Sequence, residues 1–277
     1  MSAKRKLIFS LYTAYSNKMR RKDLAAYASS CAFFLILSII PLLILVSSCL
    51  PYTAVSENDL IYAVVDLTPK FAHDILIRLI DETYSYSVSI TSISAIVTIW
   101  SGSLGMLSII RGLNSIYEVK ETRNYLYLRL IAAFYTIIFI IAIILMLTLM
   151  VFGNIAKVFV ATTFPLFATK TIPFYIYLKF AVIIAVATIL FALIYRFVPS
   201  TKLKLKNQLP GAIFTSIVWY IFSWLFSLYV NFSNSYSLYG SLATPVIMMF
   251  WLYFCIYIFL IGAFINLSLA EWKNEAR

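Results

Sequence analysis

Charge is scarce in this chain. Only 12% of its 277 residues are Asp, Glu, Lys or Arg, against about 25% in a soluble domain. Histidine occurs once, as His73 in an acidic loop. One histidine gives no His/Asp cluster with metal-ligand spacing and no base in a plausible motif for a serine nucleophile. Cysteine occurs three times, as Cys31, Cys49 and Cys255, each within an apolar stretch. They form neither a disulfide framework nor a metal-ligand pair, and read as small core residues. No Walker A motif is present, which excludes ATP binding by that route. No Asp or Glu lies within an apolar stretch, so the usual carboxylate for proton or sodium coupling is missing. These absences weigh against an enzyme; no metal site and no cofactor is expected.

What the chain has is apolar length. It is 62% hydrophobic, with a mean hydropathy of +0.92. Six apolar stretches run at about 30–50, 90–110, 130–152, 174–195, 211–229 and 243–267. Each is near the ~20 residues that cross a ~30 Å hydrocarbon core as a helix. The runs are continuous rather than alternating, which favours helices over a barrel. The expected fold is all-α: a polytopic membrane domain of six transmembrane helices over 30–267, with amphipathic surface helices. A basic segment, 1–29, precedes it and a short tail, 268–277, follows.

Lys and Arg set the expected topology. They cluster in the first segment (Lys4, Arg5, Lys6, Lys18, Arg20, Arg21, Lys22) and after the second stretch (Arg111, Lys120, Arg123, Arg129). They recur after the fourth stretch (Arg196, Lys202, Lys204, Lys206) and in the tail. The positive-inside rule places these segments, and both termini, in the cytoplasm. The net charge of +11 is then a topology signal facing anionic lipid headgroups. The basic residues are scattered, without an aromatic-interleaved recognition module, so membrane lipids are the expected partners and nucleic acid is not.

Residues 4–22 place Leu7, Ile8, Leu11, Tyr12, Tyr15 and Met19 on one face, which predicts a helix lying on the inner surface. Phe71, Ile75, Leu79 and Ile80, opposed by Lys70, Asp74, Arg78 and Asp81, predict a short amphipathic helix on the outer face. Pro41 falls near the middle of the first stretch and should kink it. Pro210-Gly211 opens the fifth, where proline is tolerated in a first helical turn.

The second stretch carries the sharpest pattern. Ser87, Thr91, Ser94, Thr98, Ser101, Gly105, Ser108, Gly112 and Ser115 recur at steps of three and four. They make one stripe of small or hydroxyl residues. Such a stripe lets helices approach closely, and it equally suits the lining of a hydrated or polar-substrate cavity. On the second reading Ser94, Thr98, Ser101 and Ser108 line a substrate path, with Asn234 and Asn266 supplying further hydrogen bonds. Arg111, Arg129 and Arg196 end or open three stretches on the cytoplasmic side. They are candidates for an anion site, since guanidinium matches phosphate geometry; the plain alternative is three separate snorkelling anchors.

Several short runs carry a family resemblance: AFFLILSIIP at Ala32–Pro41, Trp100-Ser101, RGLNSIY at Arg111–Tyr117, YRFVP at Tyr195–Pro199 and PGA at Pro210–Ala212. LFSLYV at Leu225–Val230, YGSL at Tyr239–Leu242, WLY at Trp251–Tyr253 and IGAFIN at Ile261–Asn266 follow in order. Together they resemble the YihY/virulence-factor BrkB membrane proteins, once labelled ribonuclease BN. The resemblance implies a six-helix protein of the bacterial inner membrane. Similar proteins often carry Glu two residues before the final asparagine; here Phe264 stands there. The expected function is a transporter or translocation factor for an amphipathic anionic substrate, a lipid or envelope precursor. A non-transporting envelope scaffold is the second expectation and a ribonuclease the remote one. The polar faces suit a monomer cavity or a subunit seam, and no oligomer is predicted.

Overall fold

A computed structural model describes residues 19, 21–49, 57–68, 73–83, 88–142, 165–201, 203–232 and 243–275. Residues 4–18 and 20 of the predicted surface helix, and Asn234, lie outside the described residues. Helix α1 is Leu24–Cys49, α2 Glu57–Leu67, α3 His73–Thr83 and α4 Val88–Ile116. Helix α5 is described over Tyr125–Ala142, and α6 (Pro165–Phe197), α7 (Leu205–Phe232) and α8 (Ala243–Glu275) follow. No strand occurs among the described residues. Helices α1, α4, α5, α7 and α8 are each long and apolar enough to cross a membrane, and α6 contributes the shorter apolar run Ala181–Phe197.

Helices α1, α4, α5, α7 and α8 outrun their apolar stretches at the end that the charge pattern assigns to the cytoplasm, and α6 mainly at the other. Hydropathy stops where water begins, whereas a helix stops where its terminal groups find other partners. Helix α1 starts at Leu24 because Asp23, at φ 51°, turns the chain and its carbonyl receives the N–H groups of Ala26 and Tyr27. Helix α4 closes with a Schellman turn. The Val119 N–H donates to the Asn114 carbonyl at 2.9 Å, with Glu118 left-handed at φ 57°. Helix α7 begins at Leu205, so Pro210 lies inside it rather than in its first turn. The polar segment Leu205–Leu209 is helical because Pro210 constrains only the turn before it, where another helix supplies the missing partners (below).

Helix α4 packs along α1, which also lies beside α8; α7 packs on α8 and α6 on α7. The main core sits towards the basic end, where α1 and α7 begin and α4 and α6 end. It joins Leu24, Ala28 and Cys31 of α1, Met106, Leu107, Ile110 and Leu113 of α4, and Phe259, Leu260, Ala263 and Phe264 of α8, with Tyr195 of α6. A second cluster caps the other end. There Leu60 and Val64 of α2 and Leu76 and Ile80 of α3 pack on Leu43 of α1 and Met248 of α8. The predicted outer amphipathic helix is therefore present as α3, and α2 joins it. Thr68 and His73 tie the pair: Thr68 Oγ1 donates to the Val64 carbonyl at 2.7 Å, and His73 Nε2 lies 3.0 Å from the Thr68 carbonyl.

Among the described residues, α6 and α7 are packed unequally along their length. Between Ala181 and Phe191 of α6, and between Ile217 and Val230 of α7, every side chain is at least partly exposed. Lipid contact exposes one face of a helix. Here even the inward face of α7 (Trp219, Phe222, Ser223, Phe226, Ser227) is only partly covered. Towards the basic end the same helices bury Ala192, Tyr195 and Val198, and Gly211, Ala212, Thr215 and Ser216.

Candidate functional site

The hydroxyl stripe of α4 lies buried. Ser94, Thr98, Ser101 and Ser108 are all 8% exposed or less. Two of these hydroxyls turn back on their own helix: Ser101 Oγ donates to the Val97 carbonyl at 2.7 Å and Ser108 Oγ to the Leu104 carbonyl at 3.1 Å. Such back-bonding satisfies a hydroxyl without a partner helix. Ser108 also meets Ser30 of α1, oxygen to oxygen, at 2.8 Å. Gly105 lets α1 approach: a Cβ there would sit 3.6 Å from the Cys31 carbonyl and the Leu35 side chain. Thr98 Oγ1 is buried without a partner among the described residues. The stripe is thus shut against α1 in this structure.

At the basic end of the bundle, motifs far apart in the chain meet. Pro210 has no N–H, and the backbone of α7 beside it turns to α8: the Gly211 N–H donates to Asn266 Oδ1 at 2.7 Å, and Asn266 Nδ2 donates to the Gln208 carbonyl at 3.1 Å. One buried amide thereby serves backbone groups on both sides of the proline, as membrane helices require. Gly211 and Gly262 make this approach possible. A Cβ on Gly262 would lie 2.6 Å from the Tyr195 hydroxyl and closer still to Thr215 Oγ1; one on Gly211 would meet the Gly262 carbonyl and lie 2.6 Å from Asn266. Tyr195, fully buried, donates to the Phe259 carbonyl at 2.6 Å and pairs with Thr215 Oγ1 at 2.8 Å. The Tyr117 hydroxyl donates to Gln208 Oε1 at 2.7 Å.

Beside this lock a charged knot joins the α4–α5 and α6–α7 turns. Arg123 grips Glu121 at 2.7 and 2.8 Å and also bonds Ser200. Asn114 Nδ2 donates to Glu121 at 2.8 Å and to Ser200 Oγ at 2.9 Å, and the Ser200 N–H returns to Asn114 Oδ1 at 2.8 Å. The Arg123 guanidinium holds the Glu121 carboxyl down at about 2, from an ordinary 4.5, and Ser200 assists. A third tie is Lys22, buried, paired with Glu118 at 2.6 Å. Ser115 Oγ donates to the Lys22 carbonyl at 3.1 Å.

The three candidate arginines have separate neighbours. Arg111 is exposed near the C-terminal end of α4. Arg196 lies with its guanidinium carbon 4.8 Å from the centre of the Phe197 ring. Arg129 lies 4.7 Å over the Trp100 ring and donates from Nη2 to the Trp100 carbonyl at 3.0 Å. Gln208, Thr215, Tyr117, Glu121 and Ser200 were not singled out from the sequence. Pro210-Gly211 was their one legible signal, since a proline in a membrane helix leaves backbone groups that something must satisfy.

An all-helical bundle with several membrane-crossing helices and its polar side chains buried between them is a multi-pass membrane protein. The family described as Virulence factor BrkB matches residues 15–277, and the chain belongs to that family. It is 31% identical over 275 residues to a ribonuclease-like protein, YfkH, of Bacillus subtilis (strain 168), covering 97% of this chain and 96% of that one. A UPF0761 membrane protein of Idiomarina loihiensis is 34% identical over 93 residues, 33% of each chain. One of Xanthomonas oryzae pv. oryzae is 35% identical over 92 residues, 33% of this chain and 22% of that one. No solved structure matches.

Proposed function

We propose that this protein is a transporter or translocation factor for an amphipathic anionic substrate, a lipid or envelope precursor, in a bacterial inner membrane with both termini cytoplasmic. The observation that carries the reading is the unequal packing of the bundle. Its cytoplasmic half is dense and hydrogen-bonded shut, while the inward faces of α6 and α7 beyond it are only partly covered. That is the shape of a path closed at one end. In this reading the hydroxyls of Ser94, Thr98, Ser101 and Ser108 line the path when α1 parts from α4, Asn234 and Asn266 add hydrogen bonds, and Arg111, Arg129 and Arg196 attract the anionic group. The distribution of Lys and Arg supports the orientation. Proteoliposomes test it: a fluorescent anionic lipid should reach a membrane-impermeant quencher faster than in empty vesicles, and Arg111→Ala should slow it. Translocation equal to that of empty vesicles would remove unassisted lipid movement.

A second reading, a non-transporting scaffold, is favoured by the closeness of the α1–α4 seam at Ser30–Ser108 and Gly105. It predicts a stoichiometric protein partner on purification. The name of the Bacillus subtilis relative keeps a nuclease in view. Metal-dependent RNA cleavage by pure protein, lost on a point mutation, would establish it.

A further inference from the structure

Arg129 sits within the membrane-crossing run Tyr125–Ala142, where a cation is expensive unless something neutralises it. Its partners are the Trp100 carbonyl and the Trp100 ring, and no carboxylate is among them. Its Nη1 is buried and has no acceptor among the described residues. The surface around Arg129 is apolar and open. Ile96, Val97 and Trp100 of α4 are exposed on one side, and Leu126, Leu130 and Phe134 of α5 on the other.

We propose that the phosphate of a membrane phospholipid supplies the missing acceptor at Arg129, with its acyl chains on the α4–α5 shoulder. A phosphodiester presents two oxygens to the guanidinium fork in bidentate geometry, and its negative charge balances the cation. This rests on the translocation reading in taking the substrate as an anionic amphiphile, and it names the headgroup and the residue that holds it.

Binding is measured without translocation, so the two readings fail separately. The full chain in mild detergent is titrated with brominated phosphatidylglycerol, and quenching of its tryptophan fluorescence is followed. Brominated diacylglycerol, inorganic phosphate as competitor, and the exposed-site variant Lys206→Gln are the controls. The wild type and Lys206→Gln should bind phosphatidylglycerol alike, and diacylglycerol at least about tenfold more weakly, the effect of losing one charge-assisted bidentate contact. Arg129→Gln should weaken phosphatidylglycerol about tenfold, with the melting temperature reporting its fold. Arg129→Lys, which keeps the charge but not the fork, should fall between, and decides the matter if Arg129→Gln does not fold. Equal binding of phosphatidylglycerol by Arg129→Gln and wild type, or of diacylglycerol and phosphatidylglycerol by the wild type, would overturn the proposal. Displacement of the lipid by millimolar inorganic phosphate would overturn it in favour of a free-anion site.

Discussion

Asn266 illustrates how much one side chain does inside a membrane. Its amide serves the Gly211 N–H and the Gln208 carbonyl around Pro210, where no water is at hand. Replacing it by Leu removes both bonds, each worth about 0.5–1.5 kcal/mol. The melting temperature of Asn266→Leu should fall by several degrees, about 2–4 °C per kcal/mol for a chain of this size; an unchanged value would refute the bridging role. Gly262→Ala should destabilise as well, because its Cβ meets Thr215 and Tyr195. The expected cost is about 1–3 kcal/mol, typical of overpacking. Thr215→Ala should recover part of that loss by removing the nearest obstacle, which a melting series on the two single variants and the double variant would read out. Glu121 adds a pH dependence. Its folded pKa is lowered to about 2 from 4.5, so its contribution is full above about 4.5 and is lost as pH falls towards 2. Between pH 6 and 3 the melting temperature of the wild type should drop more than that of Glu121→Gln. Parallel curves would show that Glu121 is not the titrating group.

At the scale of the element, the seam between α1 and α4 was half legible. The spacing of Ser94, Thr98, Ser101, Gly105 and Ser108 announces a special face, because small residues at helical steps have few other uses. It does not say whether that face meets a helix or water, since a hydroxyl back-bonded to its own helix is content with either. In the same way the apolar stretches located the crossing helices but not their ends. The start of α1 and the close of α4 are set by Asp23 and Glu118, two non-glycine residues held at positive φ, a backbone state that hydropathy does not register. The lock at Pro210 was hidden because its partners come from three helices, and no local pattern links Tyr117, Gln208 and Asn266. If the seam is a close contact, Gly105→Leu should drive α1 from α4. That variant should lose melting temperature by several degrees, whereas Ile96→Leu, on the exposed face of α4, should not.

For the whole molecule, the dense basic end and the thinly covered stretches of α6 and α7 beyond it are the two facts a function must explain. A scaffold has no need to part α1 from α4; a translocation path closed at its basic end does. Ser30 and Ser108 face each other at 2.8 Å in the dense half, close enough for a disulfide if both are cysteine. The most direct measurement is anionic-lipid translocation in proteoliposomes by Ser30→Cys/Ser108→Cys, with native cysteines replaced, compared before and after oxidation. The account predicts movement when reduced, arrest when oxidised, and recovery with reductant. Translocation that continues at full rate through a cross-linked seam would contradict it.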